Sequence, residues 1–393
     1  MAGKVVFCDG EDICVFDGQK VEKYASAYIT RFRDSAIASA RNKEWKNSSN
    51  ALYRSEFFSS GGEENLIGNV TSAFFISQDE VVYTFTIDNS SGIYKKSLSD
   101  EKLIESHVVN STSNAYVGGS YDDRSGTLAV ALRSGYYNSS VALFDMKTCD
   151  YKTYTEGDTL DEDPYICPDE RNTIYYSSRG VGRDMQGNFV AFSPAEIYRL
   201  DIGRVKVDLV KSDEKYSYFK PKCRGGKLYC IKAPASQGKG NVILDIVLIP
   251  WRILQAIVGF FQVFVHAFTG KSMTSGGDNP AMGRKVDGRK LIISGNLVDV
   301  EKEAKKNASK RDTDYGLVPS SWKLIEVESG KVIKSGIADF DIADDGAIYA
   351  TNGRRIFEIR QNSCKKICDA SACFAISCKK TFDGGTDNIF DLA

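Results

Sequence analysis

The side chains able to do acid–base, nucleophilic or metal chemistry are few in this 393-residue chain, and they are poorly grouped. It has two histidines, His107 and His266. Neither is set in a recognisable catalytic motif, and each reads as a solvated or packed imidazole. No G-x-S-x-G elbow accompanies them, so a Ser-His-Asp hydrolase lacks sequence support. A histidine-rich metal centre is excluded by count. Four late cysteines, Cys364, Cys368, Cys373 and Cys378, invite a zinc reading. Zinc knuckles are tight, however, and cysteines four apart on a strand lie roughly 13 Å from each other. Core and edge thiols are expected there, and no metal ligand is assigned. Cys223 and Cys230 flank the turn of CRGGKLYC, where they either cross-pair or stay free thiols. The Asp161-Glu162-Asp163 run could hold a cation, whereas Asp122-Asp123 and Asp344-Asp345 fall in turns, where aspartate caps backbone. SGGDNPAMGRK is rich in glycine but lacks the spacing of a phosphate loop. The chemistry on offer points to no catalysis and no cofactor.

The elements that must position these residues are strands. A unit recurs about every 40 residues: an apolar strand, a turn rich in Asp, Gly and Asn, a second strand, a polar loop, and a third strand with an aromatic followed by charges. Its clearest copy runs from Asp163 to Asp201. Counting the unit that holds this copy, six internal units span Ile29–Asn69, Thr71–Asn110, Thr112–Gly157, Leu160–Ser212, Tyr216 onward with a large interruption, and Ile337–Asp369. Residues 3–25 supply three strands and 372–378 a single one, which together complete one more unit. A four-stranded sheet cannot bury both faces alone, so the units must pack on one another, and the orphan strands at opposite ends must pair to close a ring. The expected fold is all-β: a seven-bladed β-propeller over residues 1–393 (six or eight blades also fit), closed by the C-terminal strand. One blade carries a helical insertion, 234–320, and 379–393 forms a tail.

Within the clearest copy, Asp163-Pro164, Pro168-Asp169, Ile174-Tyr175-Tyr176, Ser178-Arg179-Gly180 and Ile197-Tyr198-Arg199-Leu200-Asp201 resemble the TolB-type, WD40-like β-propeller repeat. Cys167 stands where that repeat usually has Ser, and Glu170 replaces its Gly. ADDGAIYATNG at 343–353 is the next best copy. The resemblance implies architecture over nearly the whole chain and a role in binding other proteins. It carries over no catalytic residue and does not account for the insertion.

Composition limits the partners. A net charge of −1 argues against nucleic acid. The start, MAGKVVFCDGEDICVF, has too short an apolar run for a signal peptide. Ten cysteines without a signal then imply free thiols in a reducing, cytoplasmic setting, and the sequons at Asn47, Asn69, Asn89, Asn110, Asn138 and Asn307 are discounted on that ground.

The insertion holds VILDIVLIPWRILQAIVGFFQVFVHAF. From Trp251 to Phe268 the polar residues Arg252, Gln255, Gln262 and His266 share one stripe of a helix, and the rest is apolar. A transmembrane span is rejected, because a single crossing would split one blade across the bilayer. Trp251, Leu254, Ile257, Phe260, Phe261, Phe264 and Phe268 therefore pack on the protein, take a partner protein in a groove, or lie in a membrane surface, a peripheral contact. A charged helix from Asp299 to Lys310 follows.

Loops between second and third strands share one propeller face with the insertion. Trp45, Tyr136, Tyr137, Arg179, Arg183, Phe189 and Phe192 are the candidates there, since aromatics and arginine on projecting loops make binding hot spots. The expected function is a non-catalytic protein-interaction scaffold acting through that face and the hydrophobic insertion. The alternatives are a membrane-docked module and a lyase or glycan-acting propeller enzyme, which would show inward-facing acids at the channel mouth.

Overall fold

A computed structural model describes residues 4–35, 38, 68–87, 90–99, 105–135, 137–187, 189–235, 290–294, 296–309, 314, 316–361 and 363–379. Within these the chain forms six four-stranded antiparallel units, each running from an innermost strand at the channel to an outermost strand. In that order, blade 1 is Ile376–Cys378, Val5–Asp9, Asp12–Phe16 and Val21–Ala25; blade 2 is Gly68–Phe75, Glu80–Ile87, Ser90–Ser97 and Ser106–Ser111. Blade 3 is Ala115–Asp122, Thr127–Gly135, Asn138–Asp145 and Tyr151–Thr153; blade 4 is Thr159–Ile166, Thr173–Arg183, Glu196–Asp201 and Lys206–Lys211. Blade 5 is Tyr216–Arg224, Lys227–Pro234, Lys323–Glu326 and Val332–Ser335, and blade 6 is Asp339–Ile342, Ile348–Thr351, Arg355–Arg360 and Ser363–Asp369. Blades 3 and 4 are joined into one nine-stranded sheet by a parallel bridge at Ser139 and Leu160.

Local chemistry accounts for the strands. Apolar residues alternate or run continuously where both sheet faces are covered, and the turns carry residues suited to them. In ADDGAIY, Asp345 accepts the N–H of Ala347 at 3.0 Å while Gly346 takes φ 78°, a conformation costly for other residues.

The ring is closed as expected. Val5 pairs with Cys378, Val6 with Ser377 and Phe7 with Ile376, so the last described strand becomes the innermost of blade 1. Each blade contributes to two apolar clusters, one with each neighbour. Phe74, Val82 and Ile93 meet Leu128 and Phe144 between blades 2 and 3. Phe219 and Leu324 meet Phe340 and Phe357 between blades 5 and 6, and Tyr349 and Ile356 meet Phe7 and Phe16 between blades 6 and 1. Each fully buried large side chain is worth roughly 1.5–3 kcal/mol, so blade-to-blade packing is the main force holding the ring together.

Among the described residues the ring has six blades, one of the counts allowed beside the expected seven. The unit expected over Ile29–Asn69 instead begins as a helix over residues 27–35, and most of the remainder lies outside the described residues. Ser26 Oγ accepts the N–H of Ile29, and the Glu105 carboxylate accepts those of Ala27 and Tyr28 at 2.8 and 2.9 Å, which caps the helix start. Ile29 then joins the cluster of Val6, Ile13, Val70, Tyr83 and Phe85, in which blades 1 and 2 already touch directly. Among the described residues no blade stands between them.

Of the insertion, a hairpin (Lys290–Ile293 with Asn296–Asp299) and the helix Val300–Ala308 are described. Asp299 caps the helix through the N–H of Lys302 at 2.9 Å, and Lys305 pairs with Glu301 one turn back. This matches the charged helix expected from Asp299. Residues 251–268 lie outside the described residues, and the apolar helix expected there with them. No helix among the described residues is long and apolar enough to cross a membrane.

Candidate functional site

Four inner strands bulge at the same level of the channel. In blade 2 the extra residue is Thr71; in blades 3, 4 and 5 the pairs Gly118-Gly119, Asp163-Pro164 and Lys220-Pro221 each oppose a single residue of the next strand. Such bulges re-aim side chains and are common beside functional sites. The first residue of each pair is left-handed, with φ of 62°, 53° and 53° for Gly118, Asp163 and Lys220. Glycine takes that conformation freely, but Asp and Lys do so at a cost of roughly 1–3 kcal/mol. Proline in second place lacks the N–H that a bulge would leave unpaired. The channel wall thus holds an acid and a base in strained backbone, facing a cavity that Thr71, Gly118, Lys222 and Asp339 also line.

These charges form a lattice. Lys220 Nζ lies 3.3 Å from Asp339 and donates to the carbonyl of Phe374 at 3.2 Å. Lys222 lies 3.6 Å from Asp339 and 3.8 Å from Asp341. The other oxygens of both acids accept N–H groups of the closing strand: Ile376 to Asp339 at 3.0 Å and Cys378 to Asp341 at 2.8 Å. Arg133 pairs with Glu162, and Ser178 donates to Asp161 at 2.6 Å. Burial works against the charge on Lys220, but Asp339 and Asp163 outweigh it and hold the ammonium above its ordinary value. Burial raises Asp163, and Lys220 offsets only part of that.

Arg179 belongs to this interior rather than to the exposed face. It is 6% exposed and donates to the carbonyl of Ser294, in the turn of the inserted hairpin, at 2.9 Å. Burial works against its charge, and the nearby Glu162 and Asp163 offset part of that. The hairpin itself is anchored by Ile293 and Val298, buried with Phe219, Trp322 and Ile337.

The rim of blades 3 and 4 carries the other cluster. Thr173–Arg183 is long enough to overrun its blade and pair with Phe189–Phe192. Tyr137 stacks on Phe189 at 4.2 Å, and Phe192 closes against both at 5.9 and 4.7 Å. Beside them Val190 is 61% and Met185 100% exposed. Arg183 forks onto Asp158 and also donates to the carbonyl of Gly187, which fixes the hairpin's turn. Of the seven candidates for this face, Tyr137, Arg183, Phe189 and Phe192 come together there and Arg179 turns inward; Trp45 and Tyr136 lie outside the described residues, as does His266. His107 sits on an outer strand of blade 2, edge-on to Tyr94 at 5.4 Å.

The cysteines depart from expectation at one place. Cys167 and Cys223 are disulfide-bonded, 56 residues apart in sequence, and the other cysteines are free. Cys223 cannot face Cys230 across their hairpin, because its cross-strand partner is Leu228 and Cys230 stands opposite the bulge.

No family model matches the chain, and no curated protein matches it. Among solved structures it is similar to TolB from Acinetobacter baumannii, 9% identical over 96% of this chain and 67% of that one, TM-score 0.49. It is also similar to the tricorn protease (10% identical, TM-score 0.46), covering 96% of this chain and 34% of that one, so it spans about a third of that protein's length. An oligogalacturonate lyase in complex with manganese is 9% identical over 77% of this chain and 65% of that one, TM-score 0.38. The described residues themselves form a β-propeller of four-stranded antiparallel units. A shared fold does not carry a shared chemistry.

Proposed function

We propose that this chain is a non-catalytic β-propeller that holds a protein partner on the face where the second-to-third-strand loops gather. One observation carries the reading: Tyr137, Phe189 and Phe192 form a preorganised aromatic platform flanked by the exposed Val190 and Met185. Rigid aromatics already packed against one another lose little entropy when a partner covers them. The inward-facing acids that would favour an enzyme are present, but four of them are engaged by other groups of the chain. Asp339 and Asp341 serve the closing strand and two lysines, Glu162 serves Arg133, and Asp161 takes the hydroxyl of Ser178. This supports a wall built for stability over one built for turnover.

The test places a photo-crosslinking amino acid at Val190 and, as control, at Val205, which is 71% exposed in a turn on the opposite face. In cells the Val190 probe is expected to give a discrete protein adduct that a Tyr137→Ser/Phe192→Ser background removes, while Val205 gives none. Adducts indifferent to that background, or equal at both sites, would sink the reading.

A further inference from the structure

We propose that Cys167, Cys223 and Asp169 form a zinc site, available when the two cysteines are reduced, at the seam between blades 4 and 5. The two sulfurs and a carboxylate oxygen all lie within 4.8 Å of one another. A tetrahedral zinc with sulfur at about 2.3 Å and oxygen near 2.1 Å spaces its ligands by under roughly 4 Å, so side-chain shifts suffice to close round the ion. The donors come from adjacent blades: Cys167-Pro168-Asp169 follows the inner strand of blade 4, and Cys223 is the next-to-last residue of that of blade 5.

The surroundings suit a metal. Gly225 and Gly226 take φ of 61° and 69°, which turns the N–H of Gly226 onto Asp169 Oδ2 at 3.1 Å. An outer hydrogen bond of this kind orients a carboxylate ligand. Arg124, held by Asp122, donates to the carbonyl of Pro168 at 3.0 Å and fixes the backbone between Cys167 and Asp169. The sulfurs are buried and Asp169 is exposed, so the ion has an entry from solvent. Thiolate and carboxylate donors together favour zinc over magnesium or calcium.

The chemistry balances. A phosphine reductant and one water convert the disulfide to two thiols, and the phosphine leaves as its oxide. Zinc then displaces both thiol protons, forming two Zn–S bonds and one Zn–O bond and releasing two protons. Water completes the fourth position, left open by three protein ligands.

The full chain, reduced with phosphine and desalted without oxygen, is dialysed against zinc and its bound metal counted by mass spectrometry. A parallel cobalt titration reads the sulfur-to-cobalt charge-transfer band. About one zinc per chain is expected, with none on the oxidised protein. Cys167→Ser removes the cobalt band, and Asp169→Asn, an exposed change that spares the fold, weakens zinc binding tenfold or more. Cys364→Ser, at an exposed free thiol, changes nothing. Equal zinc on reduced and oxidised protein, or full binding by Cys167→Ser or Asp169→Asn, would overturn the proposal.

Discussion

The channel wall and the rim of blades 3 and 4 reverse the usual placement of residues. The wall buries lysines, arginines and acids, while the rim leaves tyrosine, phenylalanine, valine and methionine in solvent. They also differ in what completes them. Every charge in the wall meets another group of the same chain, often from the next blade: Lys220 and Lys222 belong to blade 5, Asp339 and Asp341 to blade 6, and the N–H groups they hold to blade 1. The aromatics of the rim meet chiefly one another. Burial with partners makes a joint, and exposure without a cover leaves a platform. The same ring thus separates a region that secures its closure from one whose side chains reach the surface.

That contrast can be broken most forcefully in the wall. Asp339→Ala would take a carboxylate from two buried ammonium groups and leave the N–H of Ile376 unpaired, and a loss of about 3–5 kcal/mol is expected, read as a shift of the urea midpoint. A loss below about 1 kcal/mol would mean that water screens the lattice and that it does not hold the seam. A cycle with Lys222→Met separates the pair's coupling from the cost of each change alone.

At the rim the effect on stability should be smaller. Tyr137→Ala removes one stacked pair and is expected to cost about 0.5–1.5 kcal/mol, while abolishing the Val190 adduct. Should it unfold the protein instead, the platform is core and the comparison fails.

The finest test concerns Asp163. Its carboxyl sits above the ordinary range because burial disfavours the charge, so the folded chain binds that proton more tightly than the unfolded one. The resulting stability is present below the unfolded carboxylate value and is lost as pH rises through the folded value. Asp163→Asn has no such proton and accepts the left-handed backbone more readily. It is expected to gain on the wild type as pH rises through the carboxylate range, reaching an advantage of at most about 1 kcal/mol near neutrality. Urea melts from acid to neutral pH decide this; an advantage falling with pH would show that Lys220 needs the charge of Asp163.

Much of the architecture was legible because it is local. Alternating apolar residues in Glu80–Ile87 and Thr127–Gly135, and the Asp-Gly turn before Ile348, state strand and turn within a few residues. Closure was legible too, from single orphan strands at opposite ends. The blade over Ile29–Asn69 failed because an apolar residue such as Ile29 suits a helix or a strand, and Glu105, distant in sequence, supplies part of the helix cap. In the candidate site, the clustering of Tyr137, Phe189 and Phe192 followed from loop positions alone. The lattice of Lys220, Lys222, Asp339 and Asp341 was missed. Its only local signals were Asp163-Pro164, Lys220-Pro221 and the two acids set in the apolar run IADFDIA.

The amino-acid order by itself therefore determined the repeating sheets, their closure and the site of the insertion, since these rest on strand periodicity and turn chemistry. Tertiary structure alone decided that six blades close the ring, that the bulges of four strands align, that Arg179 turns inward and that Cys167 finds Cys223. Each of those depends on which residue of the neighbouring blade stands opposite, and periodicity within one strand carries no record of its neighbour's register.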